Sequence, residues 1–506
     1  MRKNQFKPFA AIIFVSLILL STGLVAQTFE LKDYKNPDFH LKMLETDFSF
    51  ISNSNGSRQT YSGSQTYPER RFDDFQIGGM LRPTYYSRTN LRNYQGNQSI
   101  EIGLQSEFRK QSSEFTDLSG SQSQDSKRST YLGDLYYRTS NRFYNNKKQF
   151  FEVDATFFYT FYSAASSYNQ EPKSEIYTLH NANSQHQGQI SVPLLIGKGR
   201  MEEVQDARLA LYIFEDLKKS GNLKHEPLKE EIIAFAEFIT KLKNERHFDA
   251  RLRKISDITA VDSMLRAMDL KQGAETSWFT LINDNWDFAE GPIREAGSRF
   301  SIGVVPVFFF NKETHKSKIS DNSGSDNTFT EKMRANNMGA DIMIDYRLSV
   351  PTSYNWQHDT YAQAVFSPLN TYLSNSNYQG DSLISEQENY YREPSFGVEV
   401  GHTIGYYPNS RTSVFLHGEL DYRYLYKSKR LVETLEEEES NNLLSAQLRL
   451  QGIYYFSPQL TFNATLAGQL ANASNRMRAI QTSAELTSHN LNFYSQISLG
   501  FTYKLF

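Results

Sequence analysis

Between Val414 and Tyr426 the chain alternates without a break. Val414, Leu416, Leu420, Tyr422, Tyr424 and Tyr426 form one row, with Gly418 among them. Ser413, Phe415, His417, Glu419, Asp421 and Arg423 form the other. A period of two is that of a β-strand whose two faces meet different surroundings. Strands of ordinary sheets usually run about 3–10 residues; here the pattern runs on, ends in aromatics and recurs. Leu444–Phe456 alternates against Gln447, Arg449 and Gln451, and Leu460–Leu470 against Thr461, Asn463, Thr465 and Gln469. Phe151–Phe161 alternates against Glu152, Asp154, Thr156 and Thr160, and Ala340–Val350 against Asp341, Asp345 and Arg347.

Such strands let a chain be polar overall and still lie in lipid, because only every second residue meets it. Mean hydropathy is −0.58, yet 14% of residues are aromatic, with 31 Tyr and 36 Phe. With no cysteine the chain has no disulfide, no thiol lipidation and no cysteine metal site. A net charge of −3 gives no reason to expect a nucleic-acid partner. Arg2, Lys3 and Lys7 precede an apolar run from Phe9 to Leu20, and small residues follow up to Ala26. This is the form of a secretory signal peptide over 1–26, and the run falls short of the roughly 20 residues that span a bilayer.

The connections are of two kinds in alternation. Those at 145–148, 351–355, 408–410 and 457–459 are tight. Those at 112–129, 311–332, 368–392, 428–441 and 474–487 are long and polar, and are expected as loops. Strands are expected near 73–88, 98–111, 129–143, 149–163 and 183–196, then 298–311, 334–350, 356–368, 394–408, 411–427, 442–456, 459–473 and 489–506. A weaker one covers 43–52, with Leu44, Phe48 and Phe50. The expected fold is mainly β: an antiparallel transmembrane β-barrel of about 14 strands, with about 12–16 as the even-numbered range. The last strand is expected to pair with the first, since an edge cannot stay unpaired in lipid.

One stretch has helical spacing instead. Val204, Ala207, Leu211, Phe214 and Leu217 make one stripe, with Lys218, Lys219 and Gly221 suiting its end. Leu228, Ile232, Phe235, Ile239 and Leu242 make a second, from a start at Pro227. Leu252, Ile255, Ile258, Val261, Leu265 and Met268 make a third. Three amphipathic helices must bury their stripes against something. The expected organisation is therefore an N-terminal segment over 27–72 holding a first strand or a plug, barrel over 73–197, a helical insertion over 198–297, and barrel again over 298–506. Counting strand directions from the turn at 145–148, and back from the C-terminus, puts the insertion at the tight-turn end, the periplasmic one.

The signal, the alternation of strands and loops, and the final strand, with Leu499, Phe501 and Tyr503 on its outward odd row and Phe506 on the opposite parity, resemble Gram-negative outer-membrane β-barrel proteins, especially the Bacteroidota type. That resemblance implies contact with outer-membrane lipid and lipopolysaccharide, and recognition of the terminal strand by the barrel-assembly machinery. The leading expectation is a porin-like channel or transporter for small solutes, non-enzymatic and without cofactor or metal. A second reading is an outer-membrane anchor whose residues 200–270 dock a periplasmic partner. A third, least supported, is a barrel enzyme acting on lipid or protein. "NPDF" at 36–39 suggests an N-terminal plug like that of the 14-stranded hydrophobic-compound transporters. The residues expected to line the lumen are Glu152, Asp154, Asp341, Asp345, Arg347, Glu399, His417, Glu419, Asp421, Arg423 and Arg449. His417, Glu419 and Asp421 on one face invite a metal or acid–base reading, but a salt-bridged wall is preferred. "TSHNLN" at 487–492 and "SNSNG" at 52–56 lack the companions a hydrolase needs. The acidic run at 433–440 is taken as a solvated loop rather than a cation bridge to lipopolysaccharide.

Overall fold

A computed structural model describes residues 29–59, 69–117, 120–171, 177–244, 250–288, 292–321, 326–431, 434–457, 459–479 and 484–503. The expected signal peptide lies outside them. Fifteen strands make one antiparallel sheet. The first seven are β1 (Phe39–Gln59), β2 (Glu69–Leu91), β3 (Tyr94–Asp117), β4 (Gly120–Tyr144), β5 (Gln149–Glu171), β6 (Tyr177–Ser191) and β7 (Leu194–Glu203). After the helices come β8 (Glu295–Asp321), β9 (Asp326–Pro351), β10 (Trp356–Gln379), β11 (Ser382–Asn409), β12 (Thr412–Leu431), β13 (Thr434–Tyr455), β14 (Leu460–Ala479) and β15 (Ala484–Tyr503).

Strands adjacent in sequence are adjacent in the sheet, with one break. β6 and β7 both lie between β5 and β8. They are one wall position interrupted at Val192–Pro193, where the expected strand 183–196 was continuous. Proline has no N–H to give the ladder. Its carbonyl still accepts from Asp154 N at 3.0 Å, and Val192 N donates to Pro306 O at 3.0 Å. Fifteen segments with two sharing a position leave fourteen positions.

The sheet is inverted relative to a soluble protein. Its exposed large side chains are apolar, among them Leu44, Phe48, Leu420, Leu444, Leu448, Leu466 and Phe493. Its buried ones are mostly polar, among them Asp134, Glu152, Asp345, His417, Asp421 and Ser445. Because parity alternates, one row faces lipid and the other a polar interior. No described helix is long and apolar enough to cross a membrane.

The long polar connections are corrected. β3 runs to Asp117 and β4 begins at Gly120; β10 runs to Gln379 and β11 begins at Ser382. The segments near 112–129, 311–332, 368–392, 428–441 and 474–487 are largely the arms of paired hairpins. A tilted strand crosses the hydrocarbon in about 9–11 residues, whereas β8 has 27 and β11 has 28. The excess stands beyond the apolar band, where polar side chains suit both faces and also pair across the ladder, as Ser376 does with Glu386 and Asn377 with Ser385. The first-strand expectation at 43–52 is part of β1. The expected ladder between last strand and first is not among the pairings of the described residues. β1 and β15 are the two edges of the sheet, and every described residue of β15 is exposed.

Four helices, not three, fill the insertion: α1 (Gln205–Lys219), α2 (Lys229–Lys243), α3 (Ala250–Ala267) and α4 (Glu275–Asp287). α4, "ETSWFTLINDNWD", escaped the helical count because only Trp278, Ile282 and Trp286 mark its stripe. α2 starts two residues later than Pro227, and Glu231 reaches back to cap Leu228 N at 2.7 Å. Phe214, Leu217, Phe235, Ile239, Val261, Leu265 and Trp278 form the core. Ile255, expected on the buried stripe, is exposed; the side chain of Leu252 is outside the described ones. Phe29, Leu31 and Tyr34 join this core from the N-terminal segment, and Tyr34 Oη lies 2.8 Å from Thr240 Oγ1. β7 and β8 continue past the wall as a two-stranded neck ending at the pair Glu203–Glu295, and the helices hang from it.

Candidate functional site

The side chains expected to line the lumen share the row of the buried polar residues. On β9, Asp341, Asp345 and Arg347 stand opposite Val305, Ser301 and Arg299 of β8. On β5, Glu152 stands opposite Arg142 and Asp154 opposite Ser140. Glu399 faces Asp421, and His417 faces Arg449 across β12 and β13. Some are brought together. Arg142 Nη2 donates to Glu152 Oε1 at 2.6 Å, and Asn141 N donates to Asp154 Oδ1 at 3.0 Å. Asp345 meets Arg299 at 3.2 Å and Arg347 at 3.6 Å. Arg423 holds Asp421 at 3.0 Å. Asp341 and Arg449 have no ion pair among the described residues.

The His417 face is a hydrogen-bonded wall. His417 Nδ1 is 2.8 Å from Thr403 Oγ1 and its Nε2 is 3.4 Å from Glu419 Oε2. Tyr361 Oη donates to the same Glu419 oxygen at 2.6 Å. No group of three or more potential ligands that would hold a metal occurs among the described residues.

The sequence reading missed the way the helical unit is fastened over the tight-turn end. Arg200 leaves the neck and donates to Leu91 O (3.0 Å), Arg92 O (2.9 Å) and Asn90 Oδ1 (2.9 Å), at the β2–β3 turn. On the far side Arg294 is buried and donates to Ser353 O (2.9 Å), Trp356 O (2.8 Å), Gln357 Oε1 (3.1 Å) and Tyr354 O, around the β9–β10 turn. None of these acceptors is a carboxylate. Burial, then the nearby Arg208 charge, lowers the Arg294 pKa to about 10, so the guanidinium stays charged at neutral pH. The ring of Tyr407 lies between Arg294 at 4.8 Å and Arg208 at 5.3 Å. Tyr212 Oη donates to Tyr407 O at 2.7 Å, and its pKa is pushed up to about 12 by burial. Arg411 at the β11–β12 turn pairs with Asp284 of α4, and Phe288 packs on Tyr455 at 5.8 Å.

These turns lie six to eight positions apart along a wall of fourteen, so the helical unit bridges the mouth. The N-terminal segment crosses it as well. Leu31–Asp33 lies beside β8 and β9, and six residues after Asp33 the chain enters β1 at Phe39. "NPDF" is therefore the entry to β1. Parity along β2, β4 and β8 would have put Arg88, Arg142 and Arg299 on the inner row. Nothing local marks Arg294, whose partners are three backbone carbonyls and the Gln357 amide oxygen, some 60 residues away.

No family model and no curated protein matches the chain. Among solved structures it is similar to the outer-membrane protease OmpT from Escherichia coli (10% identity, 42% of this chain and 88% of that chain, TM-score 0.18). It is similar to the beta domain of the Bordetella autotransporter BrkA (6% identity, 74% and 91%, TM-score 0.19). It is also similar to the P. putida toluene transporter TodX (10% identity, 94% and 92%, TM-score 0.19). The chain resembles outer-membrane β-barrels in this generic way. Likenesses at these TM-scores bear on nothing further, and the fold rests on the strand pairing and the inverted burial.

Proposed function

We propose that the protein is a porin-like outer-membrane channel for small solutes, that the helical insertion closes its periplasmic mouth, and that it is not an enzyme. The observation that carries this reading is the bridging of the mouth: Arg200 binds turn carbonyls on one side and Arg294 binds them on the other. A wall of fourteen positions lies between the 8-stranded barrels that side chains fill and the 16–18-stranded open porins. A lumen of that width needs a separate body to close it, and the helical unit has its own core and a narrow neck.

Planar-bilayer recording tests the proposal on three proteins: the full chain, a variant with a short Gly–Ser linker in place of 204–294, and Arg294→Gln. The full chain should conduct little and flicker. The linker variant should conduct steadily, and Arg294→Gln should open more often. Equal traces from all three would remove the plug from the reading, and a silent linker variant would remove the channel. A tag at Ser220–Gly221 should label only in permeabilised cells, and one at Gly380–Asp381 in intact cells; the reverse would invert the orientation.

A further inference from the structure

Where the neck meets the wall, a polar cavity of about 260 Å³ is bounded by Arg88, Arg142, Arg299, Arg347, Glu203 and Glu295, among others. Sites for drug-sized ligands occupy roughly 300–1,000 Å³, so an occupant here is small. The charges are arranged at a cost. Arg299 stands directly opposite Arg347, and Glu203 directly opposite Glu295. Like charges that face each other across a ladder repel.

Counter-charges offset this only in part. Glu203 holds Arg88, and Glu152 holds Arg142 at 2.6 Å. A single carboxylate, Asp345, serves both Arg299 and Arg347, at 3.2 and 3.6 Å. The Nε atoms of Arg142 and Arg299 are buried and meet no acceptor. A buried donor left unpaired carries its full desolvation cost. Nearby Glu152 Oε2 and Ser301 Oγ are also unpaired, but they are anchored in the wall. The cavity beside them is where a further acceptor can enter.

We propose that this cavity binds a small oxyanion, a carboxylate or a phosphate, whose oxygens accept from Arg299 and Arg347, with Arg142 beside them. Paired guanidinium forks match the geometry of either group. The inference deepens the channel reading by naming a solute class. It rests on that reading for passage through the barrel, but not for binding.

Isothermal titration of the full-length protein in detergent, with inorganic phosphate and with succinate as probes, tests it. At least one probe should bind saturably, and which one distinguishes phosphate from carboxylate. Arg299→Gln and Arg347→Gln should each weaken binding by about tenfold or more; Arg347 is exposed, and its variant should do so with the unfolding midpoint unchanged. Arg347→Lys keeps the charge and should lose less. Glu295→Gln removes a repelling charge and should bind as tightly as the parent or more tightly. No saturable heat with either probe would overturn the proposal. So would parental affinity in both Arg-to-Gln variants, or weaker binding in Glu295→Gln. A bilayer failure with intact binding would count against the channel and leave the site standing.

Discussion

At Glu419 and Leu420 one step along the backbone exchanges one solvent for another. Glu419 accepts from Tyr361 Oη at 2.6 Å on the inner row, while Leu420 is exposed on the outer one. A charge on the lipid face of a barrel strand costs about 2–4 kcal/mol near the midplane, whereas lumen substitutions tune selectivity. Leu420→Lys should therefore lower unfolding stability in lipid vesicles by about that much. Glu419→Gln keeps the acceptor for Tyr361 and should stay within about 1 kcal/mol of the parent, with a shifted ion preference. If urea titrations show the two effects exchanged, the register of β12 is displaced by one residue.

The neck is the element on which the closing of the mouth depends. Gly199 and Gly297 have φ of 108° and 128°, which other residues rarely adopt. A Cβ on Gly297 would lie 2.2 Å from Arg200 O, and one on Gly199 would lie 2.1 Å from Ser298 O. Both clashes are with backbone, so no side chain can give way. Gly297→Val should cost roughly 1–3 kcal/mol locally and loosen the ribbon that carries the helices. Limited proteolysis should then cut between α1 and α4 faster than in the parent, while the barrel resists. Unchanged cleavage would mean that Arg200 and Arg294 hold the unit without the neck.

Across the whole molecule there are two bodies with different cores, and the helical one carries an acid response of its own. In the helical unit a hydrogen bond from Lys229 holds the Asp33 carboxyl below its ordinary 3.8. Burial pushes Asp262 up, but hydrogen bonds from Arg266 and Lys271 outweigh it and the net direction is down from 3.8. A carboxyl lowered on folding stabilises fully above its ordinary pKa and loses that contribution as pH falls through the lower folded value. The helical unit should thus hold from neutrality to about pH 4 and loosen only below it. Two of the three tryptophans, Trp278 and Trp286, sit in its core or at its edge, and Trp278 Nε1 donates to Asp262 Oδ1 at 2.8 Å. Tryptophan fluorescence therefore reports the loosening. A transition between about pH 5 and 7 would assign stability to other groups.

Much of this was legible along the chain because it depends on near neighbours. Alternation over Val414–Tyr426 fixed which residues of β12 face lipid, since a strand has a period of two wherever it is placed. The stripes of α1 and α2 were legible for the same reason. The hairpin arms were not, because outside the apolar band both faces are polar and the alternation of apolar and polar residues disappears. The break at Pro193 was written in the sequence, but its meaning depended on β5 and β8 lying on either side. Arg294 and Tyr407, and the sharing of Asp345 by two arginines, were decided by tertiary structure alone. Each depends on which turns and rows the folded wall brings together: Arg294 meets carbonyls some 60 residues away, and Arg299, 46 residues from Asp345, joins Arg347 on that carboxylate.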